Sequence, residues 1–258
     1  MLVAGIDVGS LSTDVVLLDR KGTVVSWAVL PTGPRGGQTA QLALRTALEK
    51  GRVKADKLVR VVATGYGRKM VDLAHRTVTE ITCHARGAFF LFSEARTVID
   101  VGGQDSKVIR LDDRGRVGDF VMNDKCAAGT GRFLEVMAQA LEVGIEGFAE
   151  LAARGGKSVA ITSTCTVFAE SEVISLLAEG VEAKAVAAGL VEAVANRVAG
   201  LAQRIGVEPR VIMTGGVAKN RAVVAALERH LGVRVAVPPE PQIVGALGAA
   251  LIALEEVS

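Results

Sequence analysis

Hydrophobic residues along the chain follow two patterns: short continuous runs, and longer stretches in which they recur every three or four positions. The short runs predict strands and the recurring positions predict helices. Strands are expected at residues 3–7, 14–18, 23–30, 59–63, 98–101, 107–111 and 211–213. Helices are expected at residues 38–50, 132–141, 168–179, 183–205 and 244–254. Strands mixed with helices in this order are typical of an α/β protein.

The strand–turn–strand pattern near the N-terminus occurs a second time. Ile6-Asp7-Val8-Gly9 returns as Ile99-Asp100-Val101-Gly102, and Thr13 is matched by Ser106 at the same offset. A shared register over a whole hairpin disfavours the chance recurrence of a common strand sequence. We therefore expect two related lobes, with a C-terminal helix that packs back on the first. The expected ranges are 1–95 for the first lobe, 96–243 for the second and 244–258 for the helix.

Charge and composition narrow the classes of function. The formal net charge is +2, aromatic residues make up 3% of the chain and no Lys/Arg run stands out, so nucleic-acid binding is not expected. The chain start lacks a secretory signal pattern, and charges interrupt every apolar run before membrane-spanning length. We expect a cytoplasmic protein without a membrane partner. Three widely spaced cysteines do not indicate a disulfide framework.

The turn of the first hairpin, Asp7-Val8-Gly9-Ser10, has the composition of a phosphate-binding loop. Gly9 allows a close approach of the backbone. Backbone N–H groups and hydroxyls can then bond phosphate oxygens. Asp7 is a candidate catalytic residue, because its carboxylate can hold Mg²⁺ through water. The candidate nucleotide-binding residues of this turn are Gly9, Ser10, Ser12 and Thr13.

The second hairpin carries a matching turn, Asp100-Val101-Gly102-Gly103-Gln104-Asp105. Asp100 is the second catalytic candidate, and Gln104 is the candidate for orienting the attacking water. Either turn alone is more often an ordinary tight hairpin. A duplicated pair, however, can clamp a triphosphate from both sides. The candidate nucleotide-binding residues here are Gly102, Gly103 and Lys107.

A third glycine segment, residues 214–220, follows a buried strand and opens a helix. Glycines there allow a nucleoside to lie against the backbone, although an ordinary strand-to-helix turn has the same composition. Two phosphate turns followed by an adenosine loop resemble the sugar kinase, actin and Hsp70 ATPase superfamily. That resemblance implies two RNase H-like lobes with a nucleotide cleft between them. The candidate residues of this segment are Gly215, Gly216, Ala218 and Asn220.

The segment Gly155-Gly156-Lys157-Ser158 is similar to the end of a P-loop but lacks its context. A P-loop needs a glycine where Leu151 stands. It also needs a strand before it and a helix after it, whereas the pattern here predicts a preceding helix and a strand at 159–162. We interpret the segment as the end of a helix.

Cys126 and Cys165 both lie in small, polar segments that run into amphipathic helices. A helix N-terminus favours a thiolate, because its free N–H groups and its dipole stabilise an anion. This environment suits a metal-bound sulfur, yet buried structural cysteines are the usual case. A [4Fe–4S] cluster takes four thiolates. One chain has three cysteines, whereas two chains that each supply two have the required number.

The two cysteine motifs carry a closer resemblance. Asn-Asp-Lys-Cys-Ala-Ala-Gly-Thr-Gly-Arg-Phe at 123–133 and Ser-Thr-Cys-Thr-Val-Phe-Ala-Glu-Ser-Glu-Val at 163–173 resemble the activators (component A) of 2-hydroxyacyl-CoA dehydratases, in the BadF/BadG/BcrA/BcrD-type ATPase family. The resemblance implies that Cys126 and Cys165 bind one [4Fe–4S] cluster shared by a homodimer, while Cys83 is a structural thiol. Three residues of the first motif are further nucleotide-binding candidates: Gly129, Thr130 and Gly131.

The same resemblance implies an ATPase coupled to low-potential electron transfer. Reduced ferredoxin or flavodoxin would supply one electron, ATP would favour one lobe arrangement over another, and an iron–sulfur dehydratase component would receive the electron. Three alternatives stay open. The partner could be a benzoyl-CoA reductase-type enzyme or a double-cubane cluster protein. A small-molecule kinase would not need the two cysteines, and a chaperone-like module would need a peptide-binding domain for which no residues remain.

Overall fold

The computed structural model describes residues 1–154, 156, 158–163 and 165–257. The chain divides into two compact units. Unit 1 consists of Met1–Val98, Ile109–Asp119 and Pro238–Ser258, and unit 2 consists of Ile99–Val108 and Phe120–Val237. The lobe boundaries that the sequence suggests, after residues 95 and 243, stay predictions.

A five-stranded sheet forms the centre of unit 1. Its strands are β1 (Leu2–Val8), β2 (Ser12–Asp19), β3 (Val24–Pro31), β4 (Leu58–Thr64) and β5 (Arg76–Thr77), with helices α1 (Gly36–Lys50) and α2 (Glu80–Leu91). The strand order is β3-β2-β1-β4-β5. Strands β1, β2 and β3 pair antiparallel, whereas β4 is parallel to β1 and β5 is parallel to β4. Every residue of β1 is buried, so the strand reads as a continuous apolar run.

A second five-stranded sheet has the same plan. Its strands are β6 (Thr97–Val101), β7 (Ser106–Leu111), β8 (Val117–Asn123), β9 (Val211–Thr214) and β10 (Val235–Ala236). The later helices are α3 (Gly131–Ala140), α4 (Ile145–Ala153), α5 (Thr166–Ala178), α6 (Ala183–Gln203), α7 (Arg221–Leu231) and α8 (Val244–Glu255). The strand order is β10-β9-β6-β7-β8. Read in the opposite direction, this order matches the first sheet: β8, β7, β6, β9 and β10 take the places of β3, β2, β1, β4 and β5. The match is expected for the internal repeat.

Helix α8 lies in unit 1, where glycines permit close packing. A Cβ added to Gly5 of β1 would overlap the carbonyl oxygen of Ala246 in α8. A Cβ added to Gly248 of α8 would overlap the carbonyl oxygen of Cys83 in α2. Only a residue without a side chain allows these backbones to approach so closely. Strand β1 therefore packs tightly against α8, and α8 packs tightly against α2.

Helix α6 is the core helix of unit 2. Its residues Val186, Leu190, Val194 and Val198 are buried and join the large hydrophobic core of this unit. Among the described residues, α6 alone is long and apolar enough to cross a membrane, but 61% of its most apolar window is buried within the protein. This burial is typical of a core helix, because a membrane span presents its side chains to lipid.

The structure adds elements that the apolar pattern missed and removes one that it predicted. Helix α2 and strand β8 were not expected, and β8 has mostly exposed residues, so it lacks an apolar run. Helix α4, which ends at Ala153, is the helix that the sequence predicted before the P-loop-like segment. The strand predicted at 159–162 is wrong: these residues have no regular secondary structure. Gly155 and Lys157 of the P-loop-like segment, and Thr164 of the second cysteine motif, lie outside the described residues.

Candidate functional site

The first glycine turn is closed by backbone and hydroxyl bonds. The Gly9 N–H donates to the Ser12 carbonyl at 2.9 Å. The Thr32 hydroxyl donates to the Gly9 carbonyl at 2.8 Å, and it lies 2.9 Å from the hydroxyl of Thr13. Thr13 is fully buried, so its hydroxyl supports the turn from the interior of the protein. Ser10 is partly exposed beside it. Thr32 is a turn-supporting residue that no sequence motif indicated.

The Asp7 carboxylate lies in a space that only glycines leave open. A Cβ on Gly65 or on Gly245 would overlap the Asp7 carboxylate oxygens. Gly65 also has a φ of 85°, which disfavours any other residue. The His84 Nε2 lies 3.8 Å from Asp7 Oδ2, and both residues are buried. The two glycines thus let the backbone lie directly against the Asp7 carboxylate, at the end of a buried strand. A carboxylate is an oxygen ligand of the kind that Mg²⁺ takes.

The second glycine turn repeats the geometry of the first. The Gly102 N–H donates to the Asp105 carbonyl at 3.0 Å, as the Gly9 N–H does to the Ser12 carbonyl. Gln104 is exposed at the tip of this turn. Two hairpins with the same four-residue closure are the structural counterpart of the repeated Asp-Val-Gly sequence.

Asp100 lies beneath the second turn in a buried ionic network. Its Oδ2 atom is 3.2 Å from the Lys107 Nζ, and its Oδ1 atom accepts a hydrogen bond from the Thr214 hydroxyl at 2.9 Å. The Lys107 Nζ also lies 2.8 Å from Asp105 Oδ1. The side chains of Asp100 and Lys107 are both about 3% exposed. Lys107 therefore bridges two carboxylates, a structural role that the sequence did not predict.

The structure brings the glycine segments of unit 2 together. The Gly131 N–H donates to the Gly102 carbonyl at 2.8 Å, and the Ser106 hydroxyl donates to the Gly129 carbonyl at 2.7 Å. A Cβ on Gly215, whose φ is 84°, would lie 2.8 Å from Asp100 Oδ1. These contacts place the segments at 102–105, 129–131 and 214–216 around one site.

The remaining candidates of unit 2 lie at the same segments. The Arg132 N–H donates to the Gly103 carbonyl at 2.8 Å, and Thr130 is buried just before α3. Asn220 caps α7, because its Oδ1 accepts from two N–H groups of the first turn. Gly216 is exposed and Ala218 is buried in the short 3-10 turn that precedes this helix. Asn220 is therefore also a structural residue.

The two candidate metal-binding cysteines differ in their surroundings. Cys165 is exposed and is the N-cap residue of α5. Cys126 is partly buried and lies five residues before α3 begins. Because the effect of a helix dipole is confined to the first turn, the helix argument made from the sequence applies to Cys165 and is wrong for Cys126. The Cys126 sulfur instead accepts a hydrogen bond from the guanidinium group of Arg197 in α6, at 3.8 Å.

Cys83 lies in a different environment. It is fully buried in α2. Burial raises the pKa of its thiol to about 12, although a hydrogen bond with Thr64 acts in the opposite direction. The thiol therefore stays protonated at neutral pH, as a structural cysteine does.

Glu172 ties the segment before Cys165 to helix α5. One carboxylate oxygen accepts from the backbone N–H and the hydroxyl of Thr162, and the other accepts from the Ser163 N–H, at 2.8–2.9 Å. Desolvation by burial raises the pKa of Glu172, but these hydrogen bonds outweigh it and lower the pKa to about 2. The ionised carboxylate thus holds Thr162 and Ser163 against α5, shortly before Cys165 in the sequence.

Replacing Glu172 by Gln is expected to remove a stabilisation that depends on pH. The folded-state pKa is below the ordinary value of 4.5, so the contribution is present above pH 4.5 and is lost as the pH falls toward 2. Urea unfolding of wild type and Glu172→Gln between pH 2 and 7 measures this difference. Glu170→Gln on the same helix is the control. An equal wild-type advantage at pH 2 and pH 7 would contradict the assignment.

The chain is similar over nearly its whole length to a family of ATPases. Residues 4–253 match the BadF/BadG/BcrA/BcrD ATPase family. The chain is 51% identical over 255 residues to the activator of lactoyl-CoA dehydratase from Anaerotignum propionicum, covering 99% of this chain and 98% of that protein. It is 47% identical over 253 residues to the (R)-2-hydroxyglutaryl-CoA dehydratase activating ATPase from Acidaminococcus fermentans, covering 98% and 96%.

Solved structures agree with the sequence relatives. The activator of the 2-hydroxyisocaproyl-CoA dehydratase from Clostridium difficile, solved with bound ADPNP, matches with a TM-score of 0.95 at 44% identity, over 99% of this chain and 95% of that one. A ROK family glucokinase from Streptomyces griseus matches with a TM-score of 0.60 at 16% identity, over 99% and 100%, which shows a likeness of fold alone. The predicted sugar kinase, actin and Hsp70 type of fold is confirmed. The chain belongs to the BadF/BadG/BcrA/BcrD ATPase family.

Proposed function

We propose that this protein is an ATP-hydrolysing activator that transfers single electrons to a 2-hydroxyacyl-CoA dehydratase. The observation that carries the proposal is the presence of Cys126 and Cys165 in the same unit as the assembled glycine segments. A kinase of this fold needs the nucleotide site but not the two thiols. The relatives at 51% and 47% identity are named as activators of such dehydratases.

The nucleotide-binding residues follow from the glycine segments. The turns after Asp7 and Asp100 present backbone N–H groups suited to phosphate oxygens. In the segment at 214–216, Gly216 is exposed, and a nucleoside could lie against its backbone. Asp7 is the proposed Mg²⁺-binding residue, because its carboxylate lies at the end of β1, next to the first glycine turn, and Mg²⁺ takes carboxylate oxygens as ligands. Gln104, exposed at the tip of its turn, is the proposed residue for positioning the attacking water.

The thiols fit an iron–sulfur cluster held by two chains. No group of three or more metal-binding side chains occurs within the part of the chain that the structure describes. One chain therefore offers two suitable thiols, and a [4Fe–4S] cluster, which supplies one-electron redox chemistry, takes four. A second copy of the chain provides the other pair. The free N–H groups at the start of α5 would stabilise the anionic sulfur of Cys165.

Exposed apolar residues next to Cys165 favour a second copy as the neighbour. Val167 and Phe168 are 67% and 68% exposed in the first turn of α5. Large apolar side chains so exposed beside a functional residue are typical of an interaction surface. In the proposed homodimer these side chains would pack at the contact between the two copies, beside the Cys165 thiols, and would limit the access of water there. A cytoplasmic location, ferredoxin or flavodoxin as donor, and an iron–sulfur dehydratase component as acceptor complete the proposal.

Iron and sulfide analysis with EPR, on protein purified without oxygen, tests the proposal. Wild type is expected to contain about four iron ions per dimer, and either Cys126→Ala or Cys165→Ala is expected to lose nearly all of them. Cys83→Ala is the control and should keep its iron. No iron in the anaerobic wild type, with ATPase or kinase activity intact, would contradict electron transfer and favour a small-molecule kinase.

A further inference from the structure

We infer that Arg197 is a positioning residue that links the Cys126 sulfur to the second glycine turn. The inference rests on the proposed function, in which Cys126 binds the cluster and this turn binds nucleotide. Two contacts and a cavity carry it: a contact with the sulfur, a contact with the glycine segment, and a cavity that Arg197 lines together with residues before Cys165.

The first contact joins the guanidinium group to the sulfur. The Arg197 Nη1 donates to the Cys126 Sγ at 3.8 Å, across 71 residues of sequence. The Asn123 Nδ2 donates to the Cys126 carbonyl at 2.9 Å and orders the same loop. A cationic N–H donor directed at a sulfur stabilises negative charge on it. Hydrogen bonds to the sulfurs are also one of the factors that set the potential of an iron–sulfur cluster.

The second contact joins the aliphatic part of Arg197 to Gly129. Gly129 has a φ of 85°, and a Cβ added there would lie 2.9 Å from Cδ of Arg197 and 3.2 Å from its Cγ. The arginine stem therefore packs directly against a backbone that only glycine leaves open. Gly129 in turn accepts from Ser106, and Gly131 donates to Gly102. A continuous path of contacts leads from the second glycine turn through Gly129 and Arg197 to Cys126.

The third observation is a cavity beside Arg197. Arg197 lines a cavity of about 330 Å³ together with Ile161 and Ser163, which precede Cys165. Gly129 and Phe133 also line this cavity. The free volume that Arg197 lines leaves room for a second side-chain position. A residue that couples two sites needs two arrangements whose balance a ligand can change. The cavity gives the Arg197 side chain room for a second arrangement, which a fully packed arginine would not have.

Helix α6 holds the backbone of Arg197 in a fixed position. The residues around it in the helix, Val194 and Val198, are buried in the core of unit 2. A shift of the Gly129 segment would therefore move the arginine side chain rather than the helix. The sulfur contact is expected to change whenever nucleotide shifts the second glycine turn.

Anaerobic redox titration of Arg197→Met, Arg197→Lys and wild type tests the inference. Arg197→Met is expected to keep its iron. At a given potential, its ratio of reduced to oxidised cluster should be about tenfold lower than in wild type, which corresponds to a shift of about −59 mV in the one-electron reduction potential. The rate at which a chelator removes iron is measured with ATP and with ADP. In Arg197→Met the ratio of these two rates should be closer to one than in wild type. Arg197→Lys, which keeps the charge but not the planar donor, should lie between the two. Arg204→Met, an exposed arginine just after α6, is the control.

The outcomes separate the inference from the proposed function. Suppose that Arg197→Met holds about four iron ions per dimer and has the wild-type reduction potential and the wild-type ratio of chelation rates. This result would overturn the role of Arg197 and leave the proposed function unaffected. If Arg197→Met does not hold iron, Arg197→Lys decides by the same two readouts. Absence of iron from wild type would overturn both.

Discussion

Gly248→Ala is expected to be among the most destabilising single substitutions in unit 1, lowering the free energy of unfolding by about 3 kcal/mol. The added methyl group would overlap the carbonyl oxygen of Cys83 and lie 2.6 Å from the carbonyl carbon. Both are backbone atoms, so no side chain can turn aside to make room. Helices α2 and α8 would have to separate, and the apolar contacts between them would be lost.

Urea unfolding followed by the fluorescence of Trp27, the single tryptophan and a residue of β3 in unit 1, measures this change. Gly200→Ala is the matched control. Gly200 is an exposed residue of α6, and a Cβ there would meet no atom within 4 Å. Alanine is the better helix former, so this substitution should stabilise by up to about 1 kcal/mol. A loss under about 1 kcal/mol in Gly248→Ala would contradict the close packing of α8.

Lys107→Met is expected to destabilise unit 2 and to impair nucleotide binding. The substitution keeps the length of the side chain but leaves the Asp100 and Asp105 carboxylates without their common cation. Removing one partner of a buried ion pair costs about 3–5 kcal/mol, because the other charge stays buried without compensation. The network lies directly under the second glycine turn, so ATP affinity should fall together with stability.

A double-mutant cycle separates the charge effect from lost packing. Adding Asp100→Asn to Lys107→Met removes the uncompensated carboxylate, so the double variant should be less destabilised than the sum of the single variants. Lys184→Met is the control: Lys184 pairs with Glu182 at 2.8 Å at the surface, and its loss should cost less than about 1 kcal/mol. Strict additivity in the cycle would contradict the buried bridge.

The cysteine motifs illustrate how far local sequence reaches. The composition around Cys165 indicated a helix start, and α5 begins at the next residue. Cys126 also lies in a segment of small residues that runs into a helix, but α3 begins five residues after it, close to the predicted start at residue 132. A run of small residues signals that a loop precedes a helix, but not whether the helix begins close enough for its first turn to act on the cysteine.

The sequence by itself determined the α/β class, the repeated hairpins and the family. These are properties of local periodicity and of short motifs, and the shared strand order of the two sheets agrees with them. Only the tertiary structure decided which distant groups meet. The contact of Arg197 with Cys126 spans 71 residues, and that of Thr214 with Asp100 spans 114. Such pairs depend on how helices and strands pack, so no local pattern of hydrophobic or polar residues records them.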